Sequence, residues 1–421
     1  DFLTMLPAPC RLELVDSFSS FASQQQDFNI SLTTTSFFWN VSDFLQGQID
    51  RFSVESYVDA SVSEGELATL AKDDDPSISR NSLWLLLLLR IVDVTTDSRS
   101  EVRNSAVHTL LRIFDAYGQQ LAPEAWRLCL NRVLFRMVDE IESDLLRLAE
   151  DGRGISDEFK ARAETTVVMV KGFSELIANF FDAIVLDEEF DPSWERLLKS
   201  FNALIGLQRL EFSEAIFSSL ANILLRVRNS SGLSKAALQS TWLLWANGHP
   251  ASKSELIDLE QPNQEAALAY LQTFQQVYRL YNEALLEEHV AQILGHMRLL
   301  AWNSVSRPYS PDTDRPSSLQ GMIIDCTKTI CMDKYESQPE ILLCLADYVD
   351  SALTKWSPKD DSRKPTFVAF SKDAIDLLSW YIAELGIKRD VFSNGSLTTA
   401  LEHLAAPIAR KYEWQCKDRE H

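Results

Sequence analysis

Glycine is scarce in this chain, 13 of 421 residues, and nowhere does it gather into a loop that cradles phosphate. There is no G-x-x-x-x-G-K-[ST], no G-x-G-x-x-G and no G-x-S-x-G. Cysteine is sparse too. The six cysteines stand at positions 10, 129, 326, 331, 344 and 416 without a C-x-x-C pair, which argues for reduced thiols in the cytosol over a disulfide framework. No run of alternating β-branched residues is long enough for a sheet. The longest apolar run, 83–89, falls far short of the roughly 20 residues of a membrane-spanning helix. Positive charge is in deficit: 40 Lys and Arg against 61 Asp and Glu leave a formal net charge of −21. A surface of that sign disfavours nucleic acid and anionic lipid, so membrane association is expected to be indirect or peripheral. His289 and His296 lie on one helix face beside Glu287 and Glu288. They lack the further ligands that a metal needs, and HExxH is absent. No metal, no cofactor and no catalytic set is expected, and the chain reads as a non-enzyme.

What is present is helical periodicity. The chain is 46% hydrophobic, and polar breaks separate stretches with apolar residues at helical spacing. The stretch 83–114 organises the rest. A first helix near 81–92 is apolar almost all round, as a buried inner helix should be. A second helix near 100–117 places Val102, Ala106, Val107, Leu110, Leu111 and Phe114 on one face. Asp97 precedes Val102 and Arg103 by five and six positions, the turn signature of a HEAT repeat. A short carboxylate there can satisfy free N–H groups at the start of the second helix, Val102 packs inside, and Arg103 can reach a carboxylate of an adjacent turn. The expected fold is all-α, an irregular HEAT- or armadillo-like solenoid of stacked helix pairs over 1–421. An acidic linker is expected at about 47–79, with loops near 149–157, 248–262, 304–316 and 356–366. A break or kink is expected at Pro407 in the last helix. The chain starts Asp-Phe-Leu without Met and is expected to be a segment of a longer protein.

Two groups of residues qualify as partner contacts. Trp242 and Trp245 sit three apart in STWLLWANG; with Phe37, Phe38 and Trp39 they are either ordinary core or exposed anchors for a partner. Asp139, Glu140, Glu142 and Asp144 open a stretch, 139–158, with eight acids and two arginines. That stretch is either a solvated helix end and loop or an acidic contact for a basic partner. Arg90, Arg99, Arg103 and Arg112 gather around the central turn, as an internal Asp–Arg ladder or as a partner's docking point.

The stretch DSRSEVRNSAVHTLLRIFDAYG (97–118) resembles the C-terminal HEAT region of the large Arf exchange factors and of the related Mon-two (monensin-sensitivity) family. NISLTTTSFFWNVSDFL (29–45), FVAFSKDAIDLL (367–378) and NGSLTTALEHLAAPIARKY (394–412) resemble the Mon-two version of that region. The middle of the chain, 120–360, is weakly matched. The resemblance implies a cytosolic protein, peripheral on Golgi and endosome membranes, that scaffolds endosome-to-Golgi traffic without an exchange-factor catalytic domain. It implies a Dopey-type protein as partner, with Arf-like GTPases and an aminophospholipid flippase complex as further ones. A regulatory C-terminal segment of a large Arf exchange factor is the alternative that the central block also allows.

Overall fold

A computed structural model describes residues 6–47, 62–152, 156–228, 232–250, 264–304, 314–333, 337–354, 367–385, 392–393 and 395–417. Among these residues the chain is helical and has no strand, so the all-α expectation holds. The helices are α1 (Ala8–Ser23), α2 (Phe28–Gln46), α3 (Glu64–Leu70), α4 (Pro76–Val94), α5 (Ser100–Tyr117), α6 (Pro123–Cys129), α7 (Phe135–Glu150), α8 (Asp157–Asn179) and α9 (Phe181–Ile184). They continue with α10 (Phe190–Gly206), α11 (Leu210–Arg226), α12 (Lys235–Asn247), α13 (Glu265–Tyr281), α14 (Glu287–Asn303), α15 (Ser318–Asp333), α16 (Gln338–Thr354), α17 (Val368–Leu385) and α18 (Ser396–Lys417). A π-helical turn, Leu130–Leu134, joins α6 to α7 without a break. Contacts divide the chain into two compact units, residues 1–207 with 219–240 and residues 208–218 with 241–421.

The first unit is built of helix pairs. α1 packs on α2, α4 on α5, and α7 on α8. The pairs then stack in register: α1 meets α4, while α2 meets α5 and α5 meets α8. This is the arrangement of a helical repeat, in which each pair buries an apolar face only by stacking on its neighbours. α4 is the innermost element. Every residue from Leu83 to Leu89 is buried, because α1, α2, α3 and α5 all pack against it; a helix surrounded on all sides has no use for a polar face. In the second unit α13 and α14 pack on α15, α14 also on α16, and α17 and α18 on α16.

Two expectations need correction. The acidic stretch 47–79 is not all linker. Ser63 and Glu66 form a capping box, Ser63 N donating to Glu66 Oε2 at 2.7 Å and Glu66 N to Ser63 Oγ at 3.3 Å, and α3 follows. α4 begins at Pro76, not 81, because Asp75 accepts a hydrogen bond from Ser77 N at 2.8 Å and Pro76 supplies a first-turn residue that needs no donor. The remainder of that linker, 48–61, lies outside the described residues, as do 153–155, 251–263, 305–313 and 355–366, which hold most of the expected loops. Pro407 does not break the last helix: α18 runs through it to Lys417.

Candidate partner-binding surface

The central turn is architecture, but with different bonds from those expected. Asp97 does not cap α5 by reaching into its first turn; the residue at the cap is Arg99, and no side chain caps the helix. Asp97 Oδ1 instead accepts from Arg99 N at 2.9 Å and Arg99 Nε at 2.8 Å, and its Oδ2 accepts from Arg99 Nη2 at 2.8 Å. Burial acts to raise the Asp97 carboxyl, and these bonds outweigh it, leaving it below the ordinary carboxylate value. Thus held, Arg99 donates to Gln24 O, Ala22 O and Ser31 Oγ, tying the α1–α2 turn to the α4–α5 turn.

Arg103 pairs with no carboxylate among the described residues. Only 2% exposed, it donates to Asp97 O at 2.7 Å, Ser98 O at 3.1 Å, Ala161 O at 3.1 Å and Thr165 Oγ1 at 3.2 Å. The planar guanidinium satisfies carbonyls of its own turn and of α8 at once, which a lysine could not do. Burial, and then the nearby Arg162 charge, lower its pKa from the usual arginine value. Val102 is fully buried beside it.

Three of the four flagged acids of α7 are already engaged. Asp139 pairs with Arg196, Asp144 with Arg162 and Arg147, and Glu140 with Arg136 at 2.8 Å. Glu142 faces inward beside Ser200, and burial raises its carboxyl above the usual range. Asp139, Glu140 and Asp144 are thus held by arginines of α7, α8 and α10, and with Glu142 turned inward these four do not form a free acidic surface. The tryptophans are not exposed anchors either. Trp242 and Trp245 are buried. Trp245 stacks on Tyr270 with centroids 4.7 Å apart and donates from Nε1 to Tyr270 O at 3.1 Å, while Trp242 lies against Tyr281 and His289. α12 is apolar over most of its length, and α13 and α14 supply the aromatic walls. Phe38 is buried as well, whereas Phe37 is exposed.

Of the four arginines around the central turn, three are used internally. Arg90 binds Asp16 at 3.0 Å and Glu64 at 2.8 Å, and Arg136 binds Glu64 at 2.7 Å and Asp93 at 2.6 Å, one network over α1, α3, α4 and α7. Arg112 is the exception. It is exposed and lies 4.1 Å over the ring of Trp39, which in turn stacks on Tyr117. It has no carboxylate partner among the described residues. A guanidinium over an indole face can still offer N–H groups to a carboxylate.

Beside Arg112, a groove of about 470 Å³ runs between α5 and α8. Leu111, Val168 and Leu176 form its apolar part, and His108, Arg112 and Lys171 bring positive or protonatable groups to its lining, with Asp115 on α5 and Glu175 on α8 beside them. Gly172 lets α5 and α8 approach here: a Cβ at that position would lie 2.3 Å from Leu111 Cδ1. The sequence flagged Arg112 only as one of four arginines and passed over Gly172, a lone glycine inside an otherwise helical pattern. The structure thus brings together α2, α5 and α8, joining Trp39 and Arg112, which the sequence flagged in separate groups, and leaving out Trp242, Trp245 and the acids of α7. The groove is open, apolar at its base and electrostatically mixed, and its size suits a protein side chain. Among the described residues no group of His, Cys, Asp and Glu could hold a metal.

Comparison with known proteins matches residues 1–238 to the family described as the C-terminal region of Mon2 protein. The MON2 homolog of Schizosaccharomyces pombe is 23% identical over 419 residues, covering 98% of this chain and 25% of that protein. The human MON2 homolog is 27% identical over 239 residues, 53% of this chain and 14% of that protein. GNOM, an ARF guanine-nucleotide exchange factor of Arabidopsis thaliana, is 25% identical over 198 residues, 44% of this chain and 13% of that protein. The chain therefore spans about a quarter or less of the length of these relatives. The groove and the Trp39–Arg112 stack fall inside the family match.

Proposed function

This chain belongs to the family of the C-terminal region of Mon2 protein, and from that premise we propose that it is a non-catalytic scaffold that docks a protein partner in endosome-to-Golgi traffic. The observation that carries the reading is the α2–α5–α8 face. Three helices stacked side by side present one outward arginine, held in place by Trp39, next to an apolar groove. Stacked helix pairs offer surface without a closed pocket, which suits protein docking. The proposed partner is a Dopey-type protein, with Arf-like GTPases and an aminophospholipid flippase complex as further associates, on the cytoplasmic side of Golgi and endosome membranes.

Membrane contact in this reading is indirect. No helix among the described residues is long and apolar enough to cross a membrane, and a chain of net charge −21 is repelled by anionic lipid. The likeness to GNOM supports a related second reading, a regulatory segment acting on an exchange-factor domain. A pull-down of the purified chain against a Dopey-type protein, beside flotation with anionic liposomes, tests the proposal. Retention of the partner without flotation supports it. Flotation without a retained partner replaces it with a membrane-binding module.

A further inference from the structure

The first helix pair carries a second surface, on the flank away from the α4–α5 pair. One flank of α1 and α2 is fixed by its bonds to that pair: Asp16 meets Arg90, Trp39 lies under Arg112, and Tyr117 OH donates to Asp43 Oδ1 at 2.5 Å. On the other flank, helical spacing aligns Leu14, Phe18 and Phe21 on α1 with Ile30, Phe37 and Phe44 on α2. Phe21 is 56% exposed and Phe37 47%, and Phe18 stacks on Phe37 across the pair. An apolar patch of this extent on a folded surface marks an interaction site.

We propose that this face pairs with the same face of a second copy of the chain, about a two-fold axis. Charge permits a second copy here. Two chains of net charge −21 repel wherever their acids meet, yet α2 carries no charged residue from Phe28 to Ser42. The nearest cation, Arg11, is folded over the Phe44 ring at 5.9 Å and donates from Nε to Leu6 O. Size is sufficient. At about 1.5 Å per residue α2 is roughly 28 Å long, and two helices about 10 Å apart give a face roughly 20 Å wide. Its corrugated surface approaches the ~800 Å² per partner of a standard interface. An aromatic face whose nearest charge is Arg11, laid over Phe44, sets no like acids against one another and can meet its own copy, as an isologous contact requires. The Trp39–Arg112 flank stays free in such a dimer, so this pairing and the docking proposed above succeed or fail separately.

Sedimentation velocity on the whole chain between about 1 and 50 µM tests it. The expected species is a dimer of twice the 47.8 kDa chain mass. Phe37→Glu and Phe21→Glu should each weaken the dimer by about tenfold or more. Leu225→Glu, at an exposed position on α11, should leave it unchanged. Phe37→Ser, which adds no charge, should weaken it as well, with far-UV circular dichroism confirming that each variant remains helical. A chain that stays monomeric throughout overturns the proposal and assigns the face to a different helical hairpin. A dimer indifferent to both glutamate variants overturns it as well.

Discussion

At the scale of single residues, Arg103 and Asp97 show what spacing can and cannot tell. The Asp97, Val102 and Arg103 pattern located the turn, and the chain does turn there. Spacing does not say which atoms a side chain reaches, and both polar residues reach others than expected: Asp97 holds Arg99, and Arg103 holds carbonyls. The consequences differ in size. Arg103→Ala leaves three partly buried carbonyls short of a charged donor, and hydrogen bonds to a charged group contribute about 1.5–3 kcal/mol each. A loss of about 3 kcal/mol in unfolding free energy is expected from urea titration, accounting for partial rehydration. Asp97→Ala should cost less, about 1–2 kcal/mol, because Arg99 keeps its carbonyl partners. Equal midpoints for wild type and Arg103→Ala would contradict the role assigned to the guanidinium. The tryptophans teach the same lesson. Trp242 and Trp245 occupy an apolar helix, and whether such residues are core or contact depends on what packs over them, which no local pattern records.

At the scale of elements, the existence of the long helices was legible, while that of the short α3 and the limits of the others were not. α4 was plain because an apolar run bounded by polar residues has one sensible fate. α3 was hidden by the acids around it, although the Ser63-x-x-Glu66 box is a sequence signal. The ion network around Glu64 is what anchors so short a helix. Burial acts to raise the Glu64 carboxyl, and Arg90 and Arg136 outweigh it and hold it below its usual value. Glu64→Gln should therefore release α3, seen as lost hydrogen-exchange protection at its amides while α4 stays protected; unchanged protection at α3 would count against the network.

Close packing gives a second contrast between elements. A Cβ at Gly118 would meet the rings of Trp126 and Phe180 at 2.7 Å, and one at Gly172 would meet a terminal methyl of Leu111. Aromatic rings locked in the core cannot turn aside, so Gly118→Ala should cost about 2–3 kcal/mol. At Gly172 the leucine methyl can rotate, and alanine regains about 1 kcal/mol of helix propensity. Gly172→Ala should thus be within about 1 kcal/mol of neutral. Thermal unfolding of the two variants side by side reads the difference, and a reversed order would show that α5 and α8 cannot adjust at the groove.

At the scale of the molecule, acidity and buried histidine set the response to pH. His249 and His296 lie with ring centroids 4.4 Å apart, and Tyr270 OH is 2.8 Å from His296 Nδ1. Burial pushes both rings down, to about 3 for His249, where the His296 charge adds repulsion, and to about 4 for His296. Unfolded, each takes a proton near pH 6.5. As pH falls from about 6.5 towards 4, the unfolded chain binds protons that the folded chain refuses, so stability is lost across that window. The urea midpoint should fall between about pH 7 and 5, above the range of most carboxylates, and His296→Gln should flatten the fall. A midpoint independent of pH in that range would contradict the buried pair.

The family, too, operates at this scale. The four blocks 29–45, 97–118, 367–378 and 394–412 pointed to the Mon-two family, and the match over residues 1–238 bears that out. The proposed docking surface was legible only in parts: Trp39 and Arg112 were flagged separately, but they, Val168 and Gly172 come from three helices and share no local motif that would join them. The measurement that bears most directly on the proposed function is the dissociation constant between this chain and a Dopey-type protein, taken for wild type and for Arg112→Glu. Saturable binding, weakened about tenfold or more by the charge reversal while the helical content holds, is the expected result. No binding by the wild-type chain, or equal affinity for the two proteins, would contradict docking at the α2–α5–α8 face.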